Sequence, residues 1–435
     1  MQETLDIESL DMEARGVAHR EGKVVFVEGA LPGERVVARP LKTRPSYEVA
    51  EVERVLSAST QRVLPRCRHF GVCGGCAMQH LEPAAQVAVK QRVLEDAFAH
   101  IGKLKPASML APLQGPAWGY RFRARLSVRV VPSQGGVLIG FRERKSSFVA
   151  DIRECHVLPA HVSHLLEPLH ALVAGLSAPD RVPQIELAVG DQVTVLVLRH
   201  LTPLKRQDIE LLRGFGEQHG ISWWLQPGGP ETAHPLVRGD DARLAYLLPA
   251  YGLRMPYRPT DFTQVNHALN RVLVVRALAL LQCQPQDRVA DFFCGLGNFS
   301  LPLASCSREV VGVEGSAALT DRARLAAAQH GLADKAHFQT LNLFDIDVHW
   351  LRSLGYFDRM LIDPPRDGAQ ALAEALTALL PAERPRRIVY VSCNPATLAR
   401  DVAIMARKGG YRLEQAGVIN MFPHTAHVES IAVLS

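Results

Sequence analysis

The chain has 435 residues, 47% of them hydrophobic and 21% charged, with a formal net charge of +5. That length implies roughly two to three domains, and the composition excludes a disordered or fibrous chain. No apolar run approaches a membrane span, and the opening MQETLDIESLDMEARG is acidic where a secretory leader is basic and then apolar, so a cytoplasmic protein with no membrane partner is expected. The modest positive charge permits a polyanionic partner without requiring one. Eight cysteines in such a chain argue for reactive or metal-binding thiols more than for disulfides.

Residues 1–58 alternate short β-rich runs with turns at Gly29, Pro32 and Gly33, the pattern of a small antiparallel, OB-like barrel. Arg35, Arg39, Lys42 and Arg44 make its third run and the following loop basic, which suits an RNA-binding module, although a solvated charged face has the same composition. The next segment, 59–260, is expected to be a central α+β domain. It opens with CRHFGVCGGC, in which Cys67, Cys73 and Cys76 follow C-x5-C-x2-C spacing, and it holds one further isolated cysteine, Cys155. Thiolates this close repel one another unless a cation or cluster holds them. A tetrathiolate suits zinc or iron–sulfur, and the uneven spacing without a second C-x2-C pair leans toward [4Fe-4S]. Four protein thiolates leave no open iron, which argues against radical chemistry at a cluster.

Residues 82–103 read as a helix with Val87, Val89, Val93, Leu94, Ala97, Phe98 and Ile101 on its apolar face, able to pack on the catalytic domain. In 120–131, YRFRARLSVRVV, strand alternation puts Arg121, Arg123, Arg125 and Arg129 on one side, as a phosphate backbone or a charged interface would require. Strands near 184–190 and 192–199 follow, with no chemical motif as far as about 255.

From 261 to 435 the pattern alternates β and α units, predicting a Rossmann-like, doubly wound parallel sheet that binds ligands at the carboxyl ends of its strands. The turn Asp291–Asn298, DFFCGLGN, follows a strand, opens a helix and is matched by Glu314 at the end of the next strand, where a carboxylate can hold ribose hydroxyls. With no phosphate-cradling glycine run, S-adenosylmethionine is favoured over a dinucleotide. Asp363, in DPPR, is expected at the tip of the fourth strand. Cys283, Cys294 and Cys306 sit in apolar patterns and read as core.

In VYVSCNPATLARD, Cys393 ends a strand, Asn394 suits an N-cap and Pro395 the first helical position. A helix N-terminus lowers a thiol's pKa and makes a nucleophile, so Cys393 is expected to be reactive; the competing reading is a small residue closing a core strand. A thiolate adding to carbon 6 of a uracil turns the ring into an enolate that takes a methyl group at carbon 5. That scheme needs a base. Glu429, in MFPHTAHVES, is the candidate, against a surface strand-end charge as the alternative.

The set FTQVN, DFFCGLGNFSLPLA, DPPRDGA, VSCNPATLARD and FPHTAHVES resembles the RNA uracil-C5 methyltransferase family over the whole chain, and specifically its type that modifies a uridine of 23S ribosomal RNA. The resemblance implies a TRAM barrel at the N-terminus and a [4Fe-4S] cluster on Cys67, Cys73, Cys76 and Cys155. It also implies Cys393 as nucleophile, Glu429 as base, and Gln264, Phe293, Asn298, Glu314, Asn342 and Asp363 around the cofactor and target. Phe262 would stack on the flipped base. The implied partner is 23S ribosomal RNA, with no protein partner and a monomeric state expected. The same chemistry on transfer RNA, methylation of a base amino group, and a non-catalytic iron–sulfur RNA-binding protein are the alternatives.

Overall fold

The computed structural model describes residues 3–134, 136–239 and 243–435. Its N-terminal sheet has six strands in the order Glu3–Asp6, Arg35–Thr43, Tyr47–Ser57, Lys23–Glu28, Gly16–Arg20 and Ser9–Leu10. The two edge strands are consecutive in sequence, so one bent run of chain joins both edges and closes the barrel around Ile7, Val25, Val27, Val36 and Ala38. Closure is not wholly antiparallel as expected. Lys23–Glu28 pairs in parallel with Tyr47–Ser57, because the intervening strand crosses to the far side before the chain returns. The basic third strand is partly neutralised: Arg35 pairs with Asp6 and Arg39 with Glu51, while Lys42 and Arg44 stay exposed.

A second six-stranded sheet includes Arg123–Val131, Gln184–Val189, Thr194–Arg199 and Ile221–Gln226, with helices Leu166–Ala174 and Arg206–His219 alongside. Its alternation follows the sequence. Ala124, Leu126 and Val128 are buried while Arg125 and Arg129 are exposed, and Arg125 pairs with Glu186. Arg123 turns inward to donate to the Pro259 carbonyl at 2.7 Å, so this arginine serves an internal interface.

The third sheet has eight strands in the order Ala336–Thr340, Glu309–Glu314, Arg288–Phe292, Arg359–Ile362, Arg387–Ser392, Glu429–Leu434, Leu413–Ile419 and Ser108–Met109. The first five run parallel, but Glu429–Leu434 is antiparallel to both neighbours, so the expected all-parallel sheet is mixed. The connection 420–428 is too short for a crossover, and the chain must turn straight back.

Helix Pro83–Ala97 lies early in the sequence yet packs here. Its Val93, Leu94 and Ala97, with Phe98 beyond them, share a core with Tyr390, Leu398 and Val418, whereas Val89 packs against Leu10, Leu31 and Met78, and Ile101 is exposed. Among the described residues no helix is long and apolar enough to cross a membrane. Leu94 is fully enclosed in that core, so Leu94→Ala should cost about 2–5 kcal/mol. The check is denaturant unfolding, and an unchanged midpoint would show that the helix is not part of the catalytic core.

Candidate active site and nucleic-acid cleft

Strand Arg387–Ser392 is buried, and it ends where Asn394 caps helix Pro395–Gly409, the Asn394 side chain accepting from the Ala396 amide at 3.1 Å. Cys393 occupies the turn between them. The antiparallel neighbour decides what faces it. Ser392 pairs with Ser430 on the last rung of the ladder, and Cys393 and Glu429 are the residues just beyond it, near enough for the Glu429 carboxyl to act electrostatically on the thiol. Glu429 is 3% exposed, which excludes the surface-charge reading.

The loop after strand Arg359–Ile362 is fastened to the same helix. Asn394 Nδ2 and Thr397 Oγ1 donate to the Arg366 carbonyl at 3.0 and 3.2 Å, and buried Asp401 accepts from the Ala369 amide and the Tyr390 hydroxyl, each at 2.7 Å. Gly368 has φ +79°, and a Cβ there would stand 2.6 Å from Asp401 Oδ2, so glycine is required. The loop thereby brings Arg366 Nη2 within 2.7 Å of His427 Nδ1. Although His427 keeps an exposed surface, partial loss of water around its ring and the Arg366 charge lower its pKa, so the neutral ring accepts this bond.

The acid–base balance differs from the sequence expectation. Burial, with Glu429 and Asp363 nearby, pushes the Cys393 thiol up to about 11; Arg366 opposes this only in part. The helix N-terminus does not outweigh two carboxyl groups and lost solvent. The carboxyls are themselves displaced. Burial and Asp291 push Asp363 up to about 8, burial pushes Asp291 up to about 7, and burial raises Glu429 well above its ordinary value.

Asp291 and Asp363 make no ion pair among the described residues, and Asp291 Oδ1 is buried without a hydrogen-bond partner there. Two such carboxyls at adjacent strand ends fit a ligand bearing positive charge. On the neighbouring strand, Glu314 accepts from the Gly295 amide at 3.1 Å and the Ser316 amide at 3.0 Å, which orients the carboxylate and leaves lone pairs for vicinal hydroxyls. Phe293 holds φ +65° in the turn between, a strained value for a bulky residue and a common mark of a binding site. This donor set fits S-adenosylmethionine. The Asn298 carboxamide is engaged by the Tyr246 hydroxyl and by Asn270, at 2.9–3.0 Å, and Asn342 is exposed and tied to Asp345 and the Phe344 amide. Both act here as anchors of their turns. Gln264 is half-buried, and Phe262 beside it is 70% exposed.

Cys67, Cys73, Cys76 and Cys155 line one small cavity, with Phe141, Arg121 and His69. Burial raises all four thiols, Cys76 to about 11 and Cys155 to about 12. Among the described residues no group of three or more His, Cys, Asp or Glu side chains is arranged to hold a metal ion. Elsewhere, Cys294 is buried as expected, whereas Cys283 and Cys306 are half-buried and contact each other.

The cysteine loop, the barrel and Cys393 border a common cleft of about 730 Å³. Met12 and Glu13 come from the barrel, Arg121 and Arg142–Lys145 from the second sheet's strands and loops, and Arg366, Cys393 and His427 from the third. Glu28 of the barrel holds the 142–145 loop through Arg144 at 2.9 Å and Lys145 at 2.5 Å. The sequence reading missed Asp291 and the Arg366–His427 contact. A strand-end acid after apolar residues signalled the first; nothing local signalled the second.

A mixed Rossmann-like sheet whose strand ends carry a buried acid cluster, preceded by a closed β-barrel, defines a methyltransferase with an appended RNA-binding module. Residues 240–435 match the model of the family described as tRNA (Uracil-5-)-methyltransferase, and residues 3–52 match the TRAM domain. The chain is 71% identical over 433 residues to the 23S rRNA (uracil(1939)-C(5))-methyltransferase RlmD of Bordetella bronchiseptica, covering 100% of this chain and 93% of that one. To the Cupriavidus necator protein of the same name it is 57% identical over 438 residues, with 99% of each covered. The Pyrococcus abyssi tRNA (uracil-54, C5)-methyltransferase, solved with S-adenosyl-L-homocysteine, shares the fold with a TM-score of 0.76 at 22% identity, covering 100% of both chains. The chain belongs to the RNA uracil-C5 methyltransferase family.

The high pKa of Asp363 has a signed consequence. Below about 8 its carboxyl is protonated in the free protein, and a bound cation favours the ionised form, so binding releases a proton. Affinity for S-adenosylmethionine should therefore fall roughly five- to tenfold from pH 8.5 to pH 7. Calorimetric titration of wild type and Asp363→Asn checks this: the variant should bind weakly with a flatter profile, and a flat wild-type profile would refute the assignment.

Proposed function

We propose that this protein methylates carbon 5 of a uridine in 23S ribosomal RNA, with S-adenosylmethionine as donor, through a covalent adduct between Cys393 and carbon 6. The observation that carries the reading is the register that sets Cys393 near buried Glu429 beside a basic cleft. High identity to relatives named for 23S RNA, against 22% to the transfer-RNA enzyme, favours the ribosomal substrate.

Arg121, Arg142, Lys145 and Arg366 offer the cleft to the phosphate backbone, which positions without reading sequence. The target base must leave its stack, and exposed Phe262 supplies an aromatic face for it. Cys393 passes its proton to water and bonds carbon 6, with the Arg366 charge favouring the thiolate, and the electron pair displaced from the carbon 5–carbon 6 double bond makes carbon 5 the nucleophile. Because the free thiol titrates so high, attack awaits a bound base. Glu314, the 293–297 turn and Asp363 would hold S-adenosylmethionine, which would supply the methyl group that carbon 5 accepts and depart as S-adenosylhomocysteine. Glu429, ionised by loss of its own proton to water, then takes the carbon 5 proton, the carbon 5–carbon 6 double bond re-forms, and the Cys393 thiolate leaves.

The four cavity thiols fit a [4Fe-4S] cluster better than one zinc ion, since each iron takes one thiolate and the ligands need not converge. The cluster would then brace the cysteine loop where it borders the cleft, with no chemical step of its own.

An RNA fragment carrying 5-fluorouridine at the target should trap wild type on a denaturing gel and leave Cys393→Ala free; an adduct formed equally by the variant would sink the proposal. Mapping methylated uridines in 23S and transfer RNA from cells lacking the protein separates the two substrates. For the thiol site, anaerobically purified protein should absorb broadly in the visible and lose that absorption in Cys76→Ser. Colourless wild-type protein with stoichiometric zinc would overturn the cluster.

A further inference from the structure

The turn 420–428 delivers Glu429 to the site, and groups from distant parts of the chain grip its backbone. Four consecutive carbonyls are held from outside the turn. Asn266 Nδ2 donates to Met421 O at 3.3 Å, Lys90 Nζ to Phe422 O at 2.8 Å, and the Tyr120 hydroxyl to Pro423 O at 2.8 Å. The amides of Ala77 and Met78, directly after Cys76, donate to His424 O at 2.8 and 2.9 Å. Gln86 completes the grip: its Oε1 accepts from the His424 amide at 2.7 Å, and its Nε2 lies 3.1 Å from His424 Nδ1. His424 sits at φ +65° with its ring stacked on Trp118, the centroids 3.8 Å apart.

This is more than closing a hairpin demands. Lys90 is 1% exposed, makes no ion pair among the described residues, and donates to Asn420 Oδ1 and the Phe422 carbonyl, each at 2.8 Å. A buried amine is costly and an apolar side chain would pack at less expense. A left-handed histidine persists only where its surroundings over-determine it. Cys393, by contrast, is fixed by Asn394 and the loop at Arg366, and none of the clamp contacts reaches it. The clamp thus falls on 421–424 and the contacts that fix Cys393 fall on the Arg366 loop, the two segments meeting at the Arg366–His427 contact.

We propose that Lys90, Tyr120 and Gln86 are positioning residues for Glu429, holding the 421–424 backbone so that its carboxylate meets the carbon 5 proton after methyl transfer. The inference rests on the role of Glu429 given above. Its signature is a selective delay in the second half-reaction: proton to Glu429, electron pair into the carbon 5–carbon 6 bond, and expulsion of Cys393.

The test uses the full chain with S-adenosylmethionine and a 23S RNA fragment tritiated at uridine carbon 5, comparing wild type with Tyr120→Phe and Lys90→Met. Two readouts are followed in single turnover, the denaturant-resistant protein–RNA adduct and tritium released to water. In both variants the adduct should form within about twofold of the wild-type rate and accumulate, while tritium release slows about tenfold or more. Adduct formation and tritium release falling together, or neither changing, would overturn the proposal. Tyr120→Phe removes one hydroxyl and keeps the ring, so it decides the matter if Lys90→Met does not fold. Wild type that releases no tritium would refute the proposed function itself, a result distinguishable from failure of the clamp alone.

Discussion

The antiparallel insertion of Glu429–Leu434 between Arg387–Ser392 and Leu413–Ile419 is the constraint on which the site depends. In an all-parallel sheet every strand presents its last residue at the ligand-binding edge. Reversing one strand presents its first residue there instead, so an acid at the start of the last strand meets a thiol at the end of an earlier one. Pairing from Ile388 with Leu434 to Ser392 with Ser430 fixes the register, and a slip of one residue would turn Glu429 to the opposite face of the sheet.

That placement sets the electrostatics. Cys393, Glu429, Asp363 and Asp291 share a poorly solvated edge, and each raises the pKa of another or is raised by burial. Protonated, they form a nearly neutral cluster that the fold can tolerate without internal cations. Ligands then change the balance: a positive group favours ionised Asp363, and an electrophilic ring gives the thiol a reason to lose its proton. A thiol kept protonated by its surroundings reacts little with adventitious oxidants.

The accessory parts share the same edge. Glu28 ties the barrel to the 142–145 loop, Cys73 and Gly74 lie against that loop, and the amides after Cys76 bind the turn that precedes Glu429. Barrel, thiol site and catalytic sheet therefore form one wall of a basic cleft, joined by hydrogen bonds that do not pass through the catalytic residues. A large folded RNA needs such a wall, because the energy that pulls one base from its stack must come from contacts elsewhere.

Much of this was legible in the sequence because it is local. Strand and helix periods, the Asn394–Pro395 cap, the glycine turn at Gly295–Gly297, the cysteine spacing and the basic strand each leave a pattern within a dozen residues or so. Glu314, Asp363, Cys393 and Glu429 could be named from strand ends and from the resemblance those motifs carry. What the tertiary structure alone decided is everything that depends on partners distant in the chain. It reversed the last strand, reversed the expected direction of the Cys393 pKa, turned the Asn298 amide toward Tyr246 and Asn270, and brought Lys90 and Gln86 to a turn more than three hundred residues away. Desolvation and long-range pairing are properties of packing, and no window of sequence contains them.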